Sequence, residues 1–219
     1  ALALKLDELN KKRRITQDDI FAQAVAVTDE KFARDSVLVV DGKGWHEGVI
    51  GIVAAKLLEK YRKPTFVLAR GVEKNIETID KTTGEKLQKT IGFAKGSGRS
   101  FGEFSMASAI HQAEPIIGRG GGHMAAGGIT VRNDKIAAFR KSVQFFYSSL
   151  HLENQEKYLI PTPDVTLSDF AKIDENLLND IATMEPFGHG NEAPIFAFTH
   201  IKIVARRVLG RQHNHVTYL

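Results

Sequence analysis

Residues 120–128 read Gly-Gly-Gly-His-Met-Ala-Ala-Gly-Gly, so glycines and alanines surround one histidine, His123. Small residues let a ligand approach the backbone, and exposed N–H groups can cradle a phosphate. His123 could then donate a hydrogen bond to a phosphate oxygen. A tight turn with close helix–sheet packing would need the same composition, so this segment alone leaves both interpretations open.

A second such segment is Lys-Gly-Ser-Gly-Arg-Ser at 95–100. A guanidinium between glycines, as at Arg99, suits bidentate contact with phosphate. Lys95 adds charge, and Ser97 and Ser100 can add hydroxyl donors. The alternative for these six residues is a flexible basic loop.

The third segment, 45–54, reads Trp-His-Glu-Gly-Val-Ile-Gly-Ile-Val-Ala and opens a predicted helix after a predicted strand. The N–H groups at a helix N-terminus can bind an anion. Trp45 could stack on a base or pack on the helix, and His46 with Glu47 could be a cap or a pair of site residues.

Other chemistries lack support. His213 and His215 share a strand face and His200 could lie near them, but no carboxylate cluster accompanies them, so no metal site is predicted. The chain has no cysteine, which excludes disulfides and thiolate metal sites. No spacing of Ser, His and Asp indicates a nucleophilic triad.

Charge is unevenly distributed along the 219 residues. The net charge is +4, but residues 36–150 carry 17 basic and 10 acidic side chains, a net of +7, whereas residues 151–219 carry a net of −3. A basic middle favours a polyanionic partner or a solvated basic surface. No apolar run is long enough for a membrane helix and no signal peptide is visible, so a cytoplasmic protein without a membrane partner is expected.

The apolar pattern predicts the elements that carry these segments. Residues 1–34 are predicted to be helical, and a strand at 36–41, a helix at 48–61 and a strand at 65–69 form a predicted βαβ unit with a parallel strand pair. Residues 71–93 predict an exposed hairpin, 103–113 a helix, 127–132 a strand, and Asn133 the N-cap of a helix to about Leu150. Pro161 and Pro163 mark a linker, followed by a short helix at 174–184 and strands in 194–219. The sequence begins at Ala1 and stops within a predicted strand, so we expect both ends to be cut from a longer protein.

Four motifs in this order resemble one family. GWHEGVIGIVAAKL, AKGSGRS and GGGHMAAGG resemble the DHH-associated domain of RecJ-type exonucleases, and MEPFGHGNEAPIF resembles the start of the OB-fold that follows it. The resemblance runs from about Asp41 to the C-terminus. It implies an α/β fold: a mixed-sheet DHH-associated domain with flanking helices at 35–152, after a helical connector at 1–34, and a linker with a partial OB-like β-barrel at 153–219.

The resemblance also implies a function. In this family an upstream DHH domain binds manganese or magnesium, and a metal-bound water attacks the phosphodiester of single-stranded DNA. By the resemblance His123 contacts the scissile phosphate region, Arg99 contacts a nearby phosphate, and Gly121 and Gly122 supply backbone donors. No DHH triplet occurs in this chain. The expectation is therefore a fragment that binds the strand without cutting it or holding a cofactor, from a parent that degrades single-stranded DNA 5′ to 3′ in repair and recombination. A single-strand-binding protein and a helicase are the expected partners.

Two other functions are compatible with the same motifs. A DHH-family enzyme for short oligonucleotides or cyclic dinucleotides carries a GGGH-type loop, but the PFGHGN segment argues against it. An RNA-binding module like that of alanyl-tRNA synthetases is disfavoured by GWHEGVIGIVA. The predicted hairpin is longer than usual for the family, and its lysines (Lys74, Lys81, Lys86 and Lys89) could contact nucleic acid or only decorate the surface.

Overall fold

The computed structural model describes residues 2–71, 74–79, 82, 86–153, 155–188, 190–209 and 215–218. The chain divides into two compact units, Ala1–Leu159 and Ile160–Leu219. The elements of the first unit are α1 (Leu2–Val27, continued by a π-helical turn at Thr28–Phe32), β1 (Leu38–Lys43), α2 (Ile50–Tyr61), β2 (Thr65–Arg70), β3 (Lys74–Ile79), β4 (Lys86–Ile91), β5 (Phe93–Arg99), α3 (Met106–Gln112), β6 (Arg119–Gly122), β7 (Ala126–Arg132) and α4 (Ile136–Ser149).

Five of these strands form one mixed sheet, in the order β1-β2-β5-β7-β6. β1 and β2 are parallel and joined by α2, which confirms the predicted βαβ unit, and the remaining pairs are antiparallel. The hairpin predicted at 71–93 is also confirmed, because β3 and β4 pair antiparallel. One detail was wrong: α4 begins at Ile136 after a 3₁₀ turn that starts at Asn133, so Asn133 is not its N-cap. The alternative of a flexible loop at residues 95–100 does not hold for 95–99, which form a strand.

Residues 95–99 belong to β5, which lies in the middle of the sheet between β2 and β7. Glycine is depleted in strands, which is why the pattern Lys-Gly-Ser-Gly-Arg suggested a loop. Here the glycines serve close packing. A Cβ on Gly96 would lie 2.8 Å from Ile129 Cγ1, and one on Gly98 would lie 2.7 Å from Met106 Sδ.

The two faces of the sheet are covered to different extents. One face, the covered face, packs along its whole width on α3 and α4, and Phe66 and Phe139 meet edge-on there with ring centroids 5.0 Å apart. On the other face α1 and α2 pack over β1 and β2, where Leu38, Val40 and Val67 are fully buried. Among the described residues of the first unit, α2 borders β5 on this side, and neither α1 nor α2 packs extensively over β7 and β6. This uncovered half is called the open face below.

Side chains of α4 shield the free edge of β1. Gln144 Oε1 accepts hydrogen bonds from the N–H groups of Ser36 and Val37, and Arg140 donates to the carbonyl of Val39 and to Asp41. An edge strand otherwise presents unpaired backbone groups to any other chain. With β1 shielded, the exposed glycine-rich strand β6 forms the other edge of the sheet.

Helix α1 confirms the helix predicted near the N-terminus. Only its second half packs on the rest of the first unit. Its buried residues are Gln17, Ile20 and Ala24. Lys56 of α2 pairs with Asp18 at 2.8 Å, and this hydrogen bond lowers the pKa of the Asp18 carboxyl from its ordinary value. The apolar residues of the first half are exposed.

The second unit holds short elements. Helix α5 (Glu175–Ala182) is capped by Asp174, whose carboxylate accepts from the Leu177 N–H at 2.8 Å. β8 (Val165–Leu167) pairs parallel with β9 (Phe196–Phe198), and β10 (Arg206–Leu209) pairs antiparallel with β11 (His215–Tyr218). The described residues of this unit form no closed barrel. No helix in the described chain has the length and apolarity required to span a membrane.

Candidate nucleic-acid interface

The open face is built from strand β5 outward. Side chains alternate along a strand, so the packing of Ala94, Gly96 and Gly98 into the covered face places their neighbours on the open face. Those neighbours are Lys95, Ser97 and Arg99, each of them partly or largely exposed. Three of the residues predicted to bind an anion therefore lie in one line on one surface.

The strand register extends this line into rows across the sheet. Lys95 pairs with Thr130 of β7, and Thr130 pairs with Arg119 of β6, so a cation stands at each end of this row. Two interstrand spacings separate them, or about 10 Å. In the next row Ser97 pairs with Gly128, and Gly128 pairs with Gly121, so this row is nearly bare.

The N-terminus of α2 forms one wall of the resulting groove. The groove has a volume of about 610 Å³ and is lined by Glu47, Gly48, Ile50, Gly51, Lys95, Gly96, Ser97, Arg119, Gly120, Gly128, Ile129 and Thr130. The first N–H groups of a helix have no partner within it and carry a partial positive charge. The wall therefore adds to the attraction of the basic floor for an anion.

Two side chains of β5 are held against this wall. Lys95 pairs with Glu47 at 2.6 Å, and both side chains are more than half exposed, so an incoming phosphate can compete for the lysine. Arg99 donates to Ser97 Oγ at 3.1 Å and to the Gly98 carbonyl at 2.7 Å. Its guanidinium lies over Gly51, where an added Cβ would be 3.0 Å from Nη2. Arg99 is thus oriented beside the helix N-terminus.

The three glycines at 120–122 differ in what they do for the fold. A Cβ on Gly120 would meet Ile110 and Ile117 at 2.7 Å, and a Cβ on Gly122 would lie 2.4 Å from the Ala126 carbonyl oxygen. These two positions require glycine for packing. A Cβ on Gly121 would meet nothing within 4 Å, so the fold does not explain glycine there. A floor kept free of side chains so that a ligand can lie on it would account for glycine at this position.

His123 lies in the three-residue connection between β6 and β7, directly after Gly122. Its N–H donates to the Ala126 carbonyl at 2.8 Å, which closes the hairpin. Hydrogen-bonded and non-hydrogen-bonded residue pairs alternate along an antiparallel ladder, and His123–Ala126 is a hydrogen-bonded pair. By this alternation the Gly121 N–H points to β7, and the Gly122 N–H points outward from the free edge of the sheet. Of the two predicted backbone donors, Gly122 is the one left available. The imidazole of His123 is exposed and makes no hydrogen bond within the described part of the chain.

Hydrogen bonds to the backbone carbonyl groups of His123 and Met124 hold this turn in place. Met106 N–H donates to the Met124 carbonyl at 2.9 Å, and Ala107 N–H donates to that of His123 at 3.1 Å. Ser100 is buried, and its hydroxyl donates to the Met124 carbonyl at 2.8 Å. Ser100 was predicted to touch substrate, whereas this geometry suits a residue that positions the His123 turn.

The structure separates Trp45 and His46 from the groove floor. Trp45 is 7% exposed, packs over Gly42, and donates through Nε1 to Gln23 of α1 at 2.9 Å. Its indole is thus a core group in this arrangement and offers no face to a base. His46 is exposed, and its Nδ1 accepts from the Gly48 N–H at 3.1 Å, ahead of α2.

Arg119, Thr130 and Gly128 line the groove and were missed in the sequence. For Gly128 and Thr130 the signal in the sequence was their alternation with the apolar residues Ile129 and Val131 of β7. Arg119 lies on a four-residue strand with three glycines, so its place beside them could be recognised only once the strand pairing was known.

No step of metal chemistry can be assigned to these residues. Within the described ranges, no group of three or more His, Cys, Asp or Glu could hold a metal ion. His213 lies outside the described residues. The charged and polar side chains that line the groove are Lys95, Arg119, two hydroxyls and a single carboxylate, Glu47, which is paired with Lys95, and this set suits an anion better than a divalent cation that prefers several oxygen ligands.

Comparisons with known proteins agree with this geometry. The DHHA1 domain family matches residues 34–149, and the RecJ OB domain family matches residues 164–219. The single-stranded-DNA-specific exonuclease RecJ of Bacillus subtilis is 27% identical over 98% of this chain and 25% of its own length, and that of Thermus thermophilus is 26% identical over 97% and 27%. This chain thus spans about a quarter of the length of these relatives.

Solved structures share the fold. The crystal structure of Thermus thermophilus RecJ in complex with Mn²⁺ superposes with a TM-score of 0.70 at 23% identity, over 100% of this chain and 29% of the other. The Mg²⁺ complex of the same protein gives a TM-score of 0.68, over 90% of this chain and 27% of the other. The chain belongs to the DHHA1 domain family and corresponds to the DHHA1 and OB portion of RecJ.

Gly121→Ala should weaken binding to single-stranded DNA without weakening the fold. The added methyl projects from the bare row of the open face and would collide with a strand lying on it, and a collision in a close-packed contact typically costs about 1–3 kcal/mol, or about 5- to 150-fold in affinity. Fluorescence anisotropy with a labelled oligothymidylate and thermal unfolding of the same sample measure both effects.

Gly120→Ala is the matched control, one residue away on the opposite face. It should lower the melting temperature, because its methyl collides with Ile110 and Ile117. Unchanged affinity in Gly121→Ala would show that the bare row is not part of the interface.

Proposed function

We propose that the open face binds the backbone of single-stranded DNA for a RecJ-type exonuclease. The observation that carries the proposal is the arrangement of the floor: cations at Lys95, Arg99 and Arg119 flank a row without side chains at Gly121 and Gly128. Phosphates would lie near the cations, and the sugar-phosphate chain would cross the bare row. A floor about 10 Å wide suits one strand.

The family membership supports the choice of ligand. The curated relatives are named as exonucleases specific for single-stranded DNA. The match of residues 164–219 to a RecJ OB domain favours this function over an oligonucleotide or cyclic-dinucleotide phosphodiesterase and over a tRNA-binding module. In the parent protein we propose digestion from the 5′ end, with a metal-binding DHH domain supplying the hydrolytic chemistry and with a single-strand-binding protein and a helicase as partners.

His123 is the residue that we assign to the reaction itself. Its exposed imidazole stands on a turn that three backbone or hydroxyl donors hold in place. A nonbridging phosphate oxygen gains negative charge as the phosphodiester is attacked. A donor at that oxygen stabilises the transition state more than the ground state. Arg99, by contrast, carries a permanent charge and also holds the ground state.

Binding of single strands should be salt-sensitive and should depend on the groove cations. For single strands the logarithm of affinity falls with the logarithm of salt by about 0.7 per phosphate contact. Arg99→Gln with Arg119→Gln should therefore lower the slope by about 1.4. Lys135→Gln with Lys141→Gln, an equal change of charge on exposed residues outside the groove, should leave it unchanged. An equal loss in both pairs, or a preference for duplex DNA, contradicts the proposal.

The chain alone should bind the strand and leave it uncut. We expect no metal-dependent product when it is incubated with labelled single-stranded DNA and manganese, since the described residues provide no set of metal ligands. Cleavage activity that follows the protein through successive purification steps would refute this expectation.

In the parent enzyme, His123→Ala should lower turnover by about 100- to 1,000-fold, the usual effect of losing one donor to a developing oxyanion. Substrate affinity should change little, and Lys135→Ala should have no effect on either. The alternative is that His123 only completes a glycine turn. It requires a lower melting temperature with full turnover per folded molecule, so both quantities are measured on one sample.

A further inference from the structure

A second cavity lies beside the groove, between α1 and the loop before α2. It has a volume of about 330 Å³, and α1 lines it with Leu9, Lys12, Arg13 and Thr16 while the loop lines it with His46 and Gly48. Gly48 also lines the groove. The two cavities are therefore neighbours around the N-terminus of α2.

Helix α1 carries a run of four cations, Lys11-Lys12-Arg13-Arg14, next to the cavity. Of these, Lys12 and Arg13 line it and the other two do not. Arg13 donates to Asn10 Oδ1 at 3.0 and 3.2 Å and to Gln17 Oε1 at 3.2 Å. Both acceptors are neutral amides, so they orient the guanidinium without cancelling its charge. A guanidinium held in this way is prepared for a phosphate.

His46 supplies a donor on the loop side. Because its Nδ1 accepts from the Gly48 N–H, the neutral ring carries its proton on Nε2. Lys12 is paired with Glu8 at 2.6 Å, but both side chains are about two-thirds exposed, so a phosphate can replace that partner. Thr16 adds a hydroxyl and Leu9 an apolar wall against which a sugar or base can pack.

We propose that this cavity, the α1 subsite, binds a further phosphodiester of the strand that the groove holds. The proposal rests on the proposed function, since it extends the same strand past Gly48. It assigns Lys12 and Arg13 to backbone contacts and explains the exposed His46 as a donor between the two cavities. The cationic lining favours nucleic acid over an uncharged or basic peptide segment as the occupant.

The test compares two double variants on one helix turn. Lys12→Gln with Arg13→Gln removes the cations of the subsite, and Lys11→Gln with Arg14→Gln removes the same charge outside it. Each pair also breaks one exposed i,i+4 ion pair of 2.6–2.7 Å, to Glu8 or Asp7, so the lost ion pairs are matched. Thermal unfolding of both variants measures what the loss of the Arg13 hydrogen bonds to Asn10 and Gln17 adds. Affinity and salt slope are measured for oligothymidylates from about 4 to about 12 nucleotides, the range of single-strand site sizes.

We expect the 219-residue chain to gain affinity as the oligonucleotide grows long enough to reach the subsite. On long oligonucleotides only, the variant Lys12→Gln with Arg13→Gln should bind about tenfold more weakly than the unmodified chain, and its salt slope should be about 1.4 lower. The control pair should follow the unmodified chain at every length.

An equal loss in both pairs, or a loss as large on the shortest oligonucleotide, overturns the proposal. No loss in either pair also overturns it, and would leave the cavity to a peptide occupant. In that case the groove variant Arg99→Gln with Arg119→Gln still tests the proposed function separately. Failure of the unmodified chain to bind any single strand overturns both.

Discussion

The central strand β5 must satisfy both faces of the sheet at once, and the organisation of the first unit depends on this constraint. Toward the covered face it presents Ala94, Gly96 and Gly98, which let Phe66 and Met106 approach the backbone. Toward the open face it presents Lys95, Ser97 and Arg99. Because side chains alternate, a slip of one residue would bury the cations and expose the packing surface. The hydrophobic core therefore fixes the register that places the cations on the open face.

The same coupling between core and surface reaches the connection between β6 and β7. Ser100 directly follows β5, and with the first residues of α3 it holds the carbonyl groups of the turn that carries His123. The backbone of the turn is thereby tied to the core, while its side chains project into solvent. The core thus fixes the backbone position of His123, and this fixed backbone supports the role proposed for its imidazole at a developing charge.

The sequence predicted the elements with strong apolar patterns, and it predicted the family. The unit β1-α2-β2, the hairpin and the helix α4 follow from β-branched runs and helical spacing. Strands β5 and β6 could not be recognised, because glycine masks the alternation on which strand prediction depends. Trp45 was left between stacking and packing, and burial against Gly42 and α1 decides for packing, which depends on a contact distant in sequence.

Site residues were predictable by type and less so by role. Lys95, Ser97 and Arg99 were grouped in the sequence and share one face of the sheet, but the partners opposite them, Thr130 and Arg119, became visible only with the register of β7. Ser100 looked like a donor to substrate because a serine beside an arginine has no sign of burial in its sequence. The distinct status of Gly121 among three identical neighbours is likewise a property of the packing.

Mapping the bound strand on the chain by backbone amide NMR tests the central claim most directly. The 24.2 kDa chain is titrated with an oligothymidylate, and the shift of each amide signal is followed. Binding on the open face predicts that the largest shifts fall at Lys95, Ser97, Gly121 and Gly128 and that α4 is unaffected. Shifts concentrated on α4, or confined to the second unit, would contradict the account.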